Sequence, residues 1–392
     1  MSYRILLVHN RYQIPGGEDT VFENEARLLE ENGHTVFRYE RNNSELHSMN
    51  KAEKLRVPFD TIYSAKTERE VRKLIREQKI DIVHVHNTLL LISSSVCDAA
   101  RKEHVPVVQT IHNFRLVCPN GLCYRDGKIC EDCLKLGLQC AVKHRCYRSS
   151  RAETLVIVLS LLAQRMRNIY RRMHFIALTE FNRRMLVREG QIALRQIDIK
   201  PNFTEETHAC IPYEERKPQI LFAGRLEESK GIRFLLEVAR RMKDSGLLFV
   251  IYGTGSLEEE CRRKIEEENL VHVKLMGQAD HEVIMEEMAH SLALILPTRW
   301  YEGFPMSLIE AMSLGTPCIV PRLGNAGDII EEGRSGYHYD PDDTDSCMHA
   351  LKKPLNINDA VRHEYETKYS RAKNYEILLG IYRKLIEENA HE

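Results

Sequence analysis

Apolar and polar positions along the chain fall into two successive series of short apolar runs separated by helix-spaced stretches. Tyr3–His9 (YRILLVH) is a buried-strand run, and the loop after it holds Pro15-Gly16-Gly17. Val21–Asn32 repeats its apolar positions at helical spacing, Gly33 stops it, and Thr35–Tyr39 returns to strand. Residues 41–66 are polar and read as irregular. Then come helix Glu68–Gln78, strand Ile80–His86, helix Ser93–Glu103 and strand Pro106–Ile111. The pattern breaks at Asn113–Ser150, an insertion rich in Cys, Gly and basic residues. It resumes with helix Thr154–Arg172, strand His174–Leu178, helix Glu180–Glu189 and strand Ile197–Lys200, followed by Pro201-Asn202.

A second series opens at Ile220. Its strands are Ile220–Ala223, Leu248–Tyr252, His272–Leu275, Ala293–Leu296 and Pro317–Val320. Ile232–Lys243, Leu257–Glu268, His281–His290 and Met306–Leu314 read as the helices between and beside them. Strands alternating with helices predict parallel, doubly wound sheets. The chain is therefore expected to be α/β, with two Rossmann-like domains facing across a cleft. The expected N-terminal domain is 1–203, with its insert at about 113–150. The second domain is 204–370, and a C-terminal helix over 371–392 is expected to cross back to the first domain. Ligands of such sheets bind at the carboxyl ends of the strands.

The length, 392 residues, suits two domains. With 43% apolar and 29% charged residues, disordered and collagen-like classes drop out. Net charge is −1 overall, but residues 1–200 carry 33 Lys+Arg against 23 Asp+Glu, and the remainder 23 against 34. Two oppositely charged halves suggest different partners. The longest apolar run, Leu155–Ala163, is far short of the ~20 residues that span a bilayer. The first residues lack the pattern of a secretory leader, so a cytoplasmic protein is expected. Six of the eleven cysteines fall between Cys118 and Cys146, a local cluster that reads first as metal-binding.

Four motifs carry candidate chemistry. Glu302-Gly303-Phe304-Pro305-Met306-Ser307 follows a strand and opens a helix, with Glu310 two turns on. Gly303 permits close backbone approach, and free N–H groups at the helix start favour a phosphate. The two carboxylates are too far apart to share a proton and suit different hydroxyls of one elongated ligand. Gly224-Arg225-Leu226 with Lys230-Gly231 ends another strand, where Arg225 and Lys230 can both reach one diphosphate. Gly16-Gly17 lets backbone approach a phosphate or sugar. His112, with Asn113 and Arg115, ends strand Pro106–Ile111 and can bond a hydroxyl or move a proton. Each motif alone is matched by a plain alternative: a capped helix, a solvated basic turn, an ordinary Gly-Gly turn, a packed histidine. A dinucleotide site is disfavoured, because G-x-G-x-x-G is absent after the first strand and Glu258 stands where Gly253-Thr254-Gly255 needs its third glycine.

Together, Gly224-Arg225-Leu226…Lys230-Gly231, the E-x7-E of Glu302 and Glu310, and Gly315-Thr316-Pro317 resemble the GT-B glycosyltransferases of the GT4 type. The Gly16-Gly17 loop, His112 and Pro201-Asn202 fit the same family in order and spacing. The resemblance implies a retaining transferase that uses a nucleotide-sugar, such as a UDP-sugar, and needs no metal or other cofactor for catalysis. It implies that Arg225, Lys230 and the N–H groups near Met306 and Ser307 hold the diphosphate and Glu310 the ribose. Glu302, Gly303 and Phe304 would face the donor sugar, Gly277 would lie near the base, and His112 and Glu302 would be the catalytic pair. Same-face attack assisted by the leaving phosphate is favoured over a covalent intermediate on Glu302. The expected acceptor is a glycan or lipid-linked glycan in bacterial surface polysaccharide assembly. A nucleotide-sugar epimerase of the same architecture and a non-catalytic nucleotide-sugar-binding scaffold are the rivals.

Cys130-x2-Cys133 has the spacing of half a tetrahedral zinc site, which Cys118 and Cys146 could complete, with Cys123, Cys140 and His144 as substitutes. The missing second knuckle disfavours nucleic-acid binding. Residues 143–195 carry 12 Lys+Arg against 3 Asp+Glu. An apolar helix ending in arginines suits a peripheral contact with an anionic membrane, at its inner face.

Overall fold

The computed structural model describes residues 2–13, 16–188, 190–205 and 209–391; Pro15 of the first glycine loop lies outside them. The chain divides into two compact units. One comprises Met1–Leu122, Glu131–Pro201 and Asn374–Glu392; the other comprises Cys123–Cys130 and Asn202–Lys373.

The first unit is built on β1 (Arg4–Arg11), β2 (Thr35–Asn42), β3 (Ile82–Asn87), β4 (Val107–Ile111), β7 (His174–Ala177) and β8 (Ile197–Ile199). These pair in parallel in the order β2-β1-β3-β4-β7-β8. Helices cover both faces, so β1 and β3 read as near-continuous apolar runs. One face packs Val83, Val85 and Phe175 against Val71, Ile75 and Val96. The other packs Ile5, Leu7, Ile82 and Ile176 against Phe22 and against Leu378, Ile381, Tyr382 and Leu385. The last four form the buried stripe of helix Arg371–Ala390. One helix ends at Lys368 and the last starts at Arg371. Ser370 Oγ accepts from the Lys373 N–H at 3.3 Å there.

The second unit holds β9 (Lys217–Ala223), β10 (Leu248–Tyr252), β11 (Val273–Gly277), β12 (Ser291–Ile295), β13 (Cys318–Pro321) and β14 (Gly336–Tyr339). Their order is β11-β10-β9-β12-β13-β14, all parallel. The winding reverses between β9 and β12. At such a switch point the loops leave in opposite directions and open a crevice for a ligand.

The insert is not uniformly irregular. It contains the antiparallel hairpin β5 (Tyr124–Arg125) and β6 (Lys128–Ile129), then short helices Asp132–Leu136 and Gln139–His144. The hairpin groups with the second unit and the rest with the first. Residues 45–48 and 51–62 are also helical rather than irregular. The longer helix, Lys51–Ile62, starts at a capping box in which Asn50 and Glu53 satisfy each other's backbone N–H groups. Among the described residues, no helix is long and apolar enough to cross a membrane.

Candidate functional site

In the second unit the candidate chemistry gathers at the β9/β12 crevice. The chain leaves β9 through Gly224-Arg225-Leu226 and reaches Lys230-Gly231 in a single 3-10 turn. Gly231 has φ +71°, and a Cβ there would lie 1.7 Å from the Pro297 carbonyl oxygen in the segment after β12. Only glycine allows that approach, and it seats Lys230 beside the loop from β12. The Lys230 Nζ donates to Glu302 Oε1 at 2.7 Å and Oε2 at 3.0 Å. Thr298 Oγ1 and Trp300 Nε1 also donate to Oε1, each at 2.9 Å. The Lys230 ammonium lies 5.4 Å from the centroid of the Trp300 ring. Asn325 donates to the Glu302 and Gly303 carbonyl oxygens and fixes the loop. Glu302 is 5% exposed, with three donors on one oxygen. This is the geometry of a carboxylate that orients a lysine.

Pro305 precedes helix Met306–Ser313, and no side chain caps its start. Its first N–H groups, those of Met306 and Ser307, belong to the anion-binding end of a helix. Glu310, two turns along, is paired with His281, Nε2 to Oε1, at 3.2 Å. That carboxylate raises the His281 pKa against the effect of partial burial. Arg225 is 68% exposed and meets Glu227 at 3.1 Å. Gly277 ends β11 with φ +73° and open space at its Cβ position.

Gly253-Thr254-Gly255, unfit as a dinucleotide motif, has a structural task. The Leu226 N–H donates to the Thr254 carbonyl at 2.9 Å, and the Leu257 N–H to the Leu226 carbonyl at 3.0 Å. A Cβ on Gly253 would lie 1.9 Å from the Gly224 oxygen, and one on Gly255 2.5 Å from the Leu226 oxygen. These glycines let two strand-end loops stack and place Arg225.

In the first unit His112 follows β4 beside a cavity lined by His86, Asn87, Asn113, Arg115 and Gln164. The His112 Nε2 lies 3.0 Å from His86 Nδ1. Beneath them is a fully enclosed ion pair, Glu25 Oε2 to Lys200 Nζ at 2.7 Å. Glu25 Oε1 lies 2.9 Å from His84 Nδ1 and 3.2 Å from His86 Nε2. Burial alone would raise the Glu25 carboxyl, but Lys200, His84 and His86 hold it well below the usual range. Burial, with His84 beside it, lowers the His86 pKa to about 4. Burial and His86 lower that of His112 well below its ordinary value. Glu25, His84 and His86 bring ligand-type atoms within 4.8 Å of one another, but the Lys200 ammonium already supplies their cation.

Gly16 stands at the N-cap of helix Gly17–Glu31, where Asp19 accepts from its N–H at 2.8 Å and also meets His9 Nε2 at 2.9 Å. A Cβ on Gly16 or Gly17 would meet nothing within 4 Å. The fold therefore has room for side chains there. Glu18 accepts from Tyr12 at 3.3 Å and Asn113 at 3.4 Å, and its Oε1 is enclosed. Burial pushes its carboxyl up to about 8, against the pull of Arg115.

Cys133 has Cys118, Cys146 and Cys140 as its thiol neighbours, and burial pushes its own thiol up to about 12. The Cys130 N–H bonds the Cys123 carbonyl at 2.8 Å, in the hairpin assigned to the second unit. Among the described residues no cysteine trio draws together as ion ligands.

The sequence reading passed over Glu25, Lys200, His86, Glu18, Thr298, Trp300 and Asn325. One signal was present: Glu25 falls on the apolar stripe of its helix, beside Val21, Phe22, Ala26 and Leu29, where a charge demands a partner.

Two family models match the chain. Residues 15–207 match "Glycosyltransferase Family 4" and residues 203–374 match "Glycosyl transferases group 1". The UDP-Gal:alpha-D-GlcNAc-diphosphoundecaprenol alpha-1,3-galactosyltransferase of Escherichia coli is 24% identical, over 73% of this chain and 70% of its own length. An uncharacterized glycosyltransferase of Methanocaldococcus jannaschii is 27% identical, over 43% of this chain and 47% of its own. The match thus spans about half of that relative. Among solved structures, the lipopolysaccharide outer core galactosyltransferase WaaB superposes with TM-score 0.67 at 20% identity, over 97% of this chain and 100% of that one. Anabaena HepE in complex with UDP gives 0.68 at 13% identity, over 97% and 100%. These two likenesses concern the fold.

Proposed function

The chain belongs to the GT-B glycosyltransferases of the GT4 type, and from that premise we propose that it moves a sugar, with retention, from a nucleoside-diphosphate sugar to a glycan or lipid-linked acceptor. The observation that carries this reading is the Lys230–Glu302 pair at the β9/β12 switch point, beside an uncapped helix start. Glu302 holds Lys230 where a diphosphate would meet it, and Arg225 adds a second cation. Two cations and a helix terminus offset the charge that builds on a departing diphosphate. Catalysis needs no bound metal in this account.

The donor is a UDP-sugar. Two proteins like this chain carry names that point to it: one relative uses UDP-Gal and one structural neighbour holds UDP. Glu310 binds the ribose, Gly277 lies near the base, and Gly303 with Phe304 flanks the sugar. Gly16 and Gly17 close on the donor, and His112 contacts the transferred sugar. The acceptor hydroxyl attacks the anomeric carbon on the face the diphosphate leaves. The bond to the acceptor oxygen forms as the bond to the phosphate oxygen breaks, and the hydroxyl proton passes to that departing oxygen. Glu302 orients Lys230 and forms no bond to the sugar. The acceptor serves surface polysaccharide assembly; the names of two relatives carry a diphosphoundecaprenol-linked GlcNAc and lipopolysaccharide.

The first unit meets an anionic membrane. Helix Lys51–Ile62 exposes Leu55 (74%) and Phe59 (71%), and helix Arg151–Met166, packed against it, exposes Leu155, Leu159, Leu162 and Met166. An apolar face in the basic half of the chain matches a lipid surface of negative charge.

A thermal-shift panel of UDP-, GDP-, ADP- and dTDP-sugars in EDTA tests the donor site. A UDP-sugar raises the melting temperature of the wild type. In Arg225→Ala the loss of a charged contact, about 1.5–3 kcal/mol, removes most of that shift. No shift with any donor, from folded protein, contradicts the reading.

A further inference from the structure

We infer that Glu25 and His86 fix the tautomer of His112, so that its Nδ1 stands in the first unit as a hydrogen-bond acceptor for a substrate hydroxyl. The inference rests on the proposed placing of His112 in the site. It follows from proton bookkeeping along one line of atoms. A carboxylate only accepts hydrogen bonds, and Glu25 is kept ionised by the buried Lys200 ammonium 2.7 Å away. His86 Nε2 lies 3.2 Å from Glu25 Oε1, outside hydrogen-bond geometry but close enough that a lone pair there would face the carboxylate, so Nε2 carries the proton. His84 Nδ1 lies 2.9 Å from the same oxygen and 2.6 Å from the Tyr382 hydroxyl. His84 is settled on its other side by Thr110, whose Oγ1 lies 2.8 Å from Nε2. His86 is neutral, so a proton on Nε2 leaves Nδ1 with a lone pair. That lone pair faces His112 Nε2 at 3.0 Å, so His112 Nε2 is the donor there. His112 is neutral too. Its remaining nitrogen, Nδ1, must then hold a lone pair.

His112 Nδ1 is enclosed and has no hydrogen-bond partner. A buried acceptor without a donor costs free energy, and a ligand hydroxyl on the cavity side would remove that cost. The His86 and His112 rings stack, with centroids 5.1 Å apart and 19° between planes, so the relay also limits rotation of His112. Glu25 comes from the first helix, His86 from β3, and Lys200 follows β8. Asn374 accepts from Lys200 Nζ at 3.1 Å and ties it to the last helix. His86 and Glu25 are positioning residues, acting through His112.

The test reads the tautomer first. In nitrogen-15 spectra of the full chain with labelled histidine, assigned by His112→Gln, His112 shows a protonated Nε2 and a bare Nδ1. A protonated Nδ1, or a mixture of the two forms, overturns the inference and leaves the donor-site reading standing. Two variants then separate positioning from packing. Asn at position 86 keeps an acceptor opposite His112 Nε2, with its amide N–H₂ turned to Glu25; Leu keeps bulk without an acceptor. With UDP-sugar turnover as the assay, His86→Leu lowers kcat about tenfold or more with little change in donor KM, since a general acid–base or acceptor group is worth at least that. His86→Asn restores most of kcat, and the labelled His112 loses its single tautomer only in the Leu variant. Equal loss in both variants with the tautomer intact overturns the relay. Wild-type turnover by His112→Ala overturns the role of His112 while Arg225-dependent donor binding remains.

Discussion

At Gly231 the geometry of the site depends on the absence of a single carbon atom. A Cβ would overlap the Pro297 carbonyl oxygen at 1.7 Å, in a backbone conformation that side chains seldom adopt. Gly17 is the opposite case, with no atom within 4 Å of its would-be Cβ. Gly231→Ala must move the β12 segment and with it Lys230. We expect it to melt at least about 4 °C below wild type, as roughly 2 kcal/mol of lost stability implies for domains of this size, and to lose UDP binding. Gly17→Ala melts within about a degree of wild type, because it is a surface change, yet binds UDP-sugar more weakly. Calorimetry and donor titration on the two variants check this. Equal loss of stability in both would mean that Gly17 serves the fold and not a ligand.

At the scale of elements, periodicity revealed most of the scaffold. The strand at Leu248–Tyr252 has the bounds its apolar run predicts, and helix Ile232–Arg241 starts where its stripe does. What periodicity missed has physical causes. Helix Lys51–Ile62 buries only Thr61, so it has no apolar stripe to read, and its capping box was the available signal. The strand Gly336–Tyr339 is too short to show a period. The motifs around Glu302 were legible as types in order, because a loop at a strand end brings near residues together. The partners Thr298 and Asn325 were not, because their roles arise from loop folding and from a side chain arriving from a later helix. The Glu25–Lys200 pair joins residues 175 positions apart, which no local pattern encodes.

Over the whole molecule, charge is segregated. The basic first half of the chain carries two packed helices with outward Leu55, Phe59 and Met166, while the acidic second half carries the proposed donor site. A basic surface draws anionic lipid headgroups, and apolar side chains then enter the interface. The full chain should sediment with vesicles containing phosphatidylglycerol and not with phosphatidylcholine alone. The triple variant Leu55→Glu, Phe59→Glu, Met166→Glu should remain in the supernatant with its fold intact. Sedimentation of that variant at the wild-type level would place the contact elsewhere.

The account stands or falls on what happens at the anomeric carbon without a metal. Proton NMR can follow a UDP-α-sugar that stabilises the protein, incubated with the enzyme in EDTA with water as the slow acceptor, before the free sugar mutarotates. The account predicts that the first sugar released is the α-anomer, at a rate that EDTA leaves unchanged and Lys230→Ala lowers at least tenfold. Release of the β-anomer, or turnover that stops in EDTA, would contradict it.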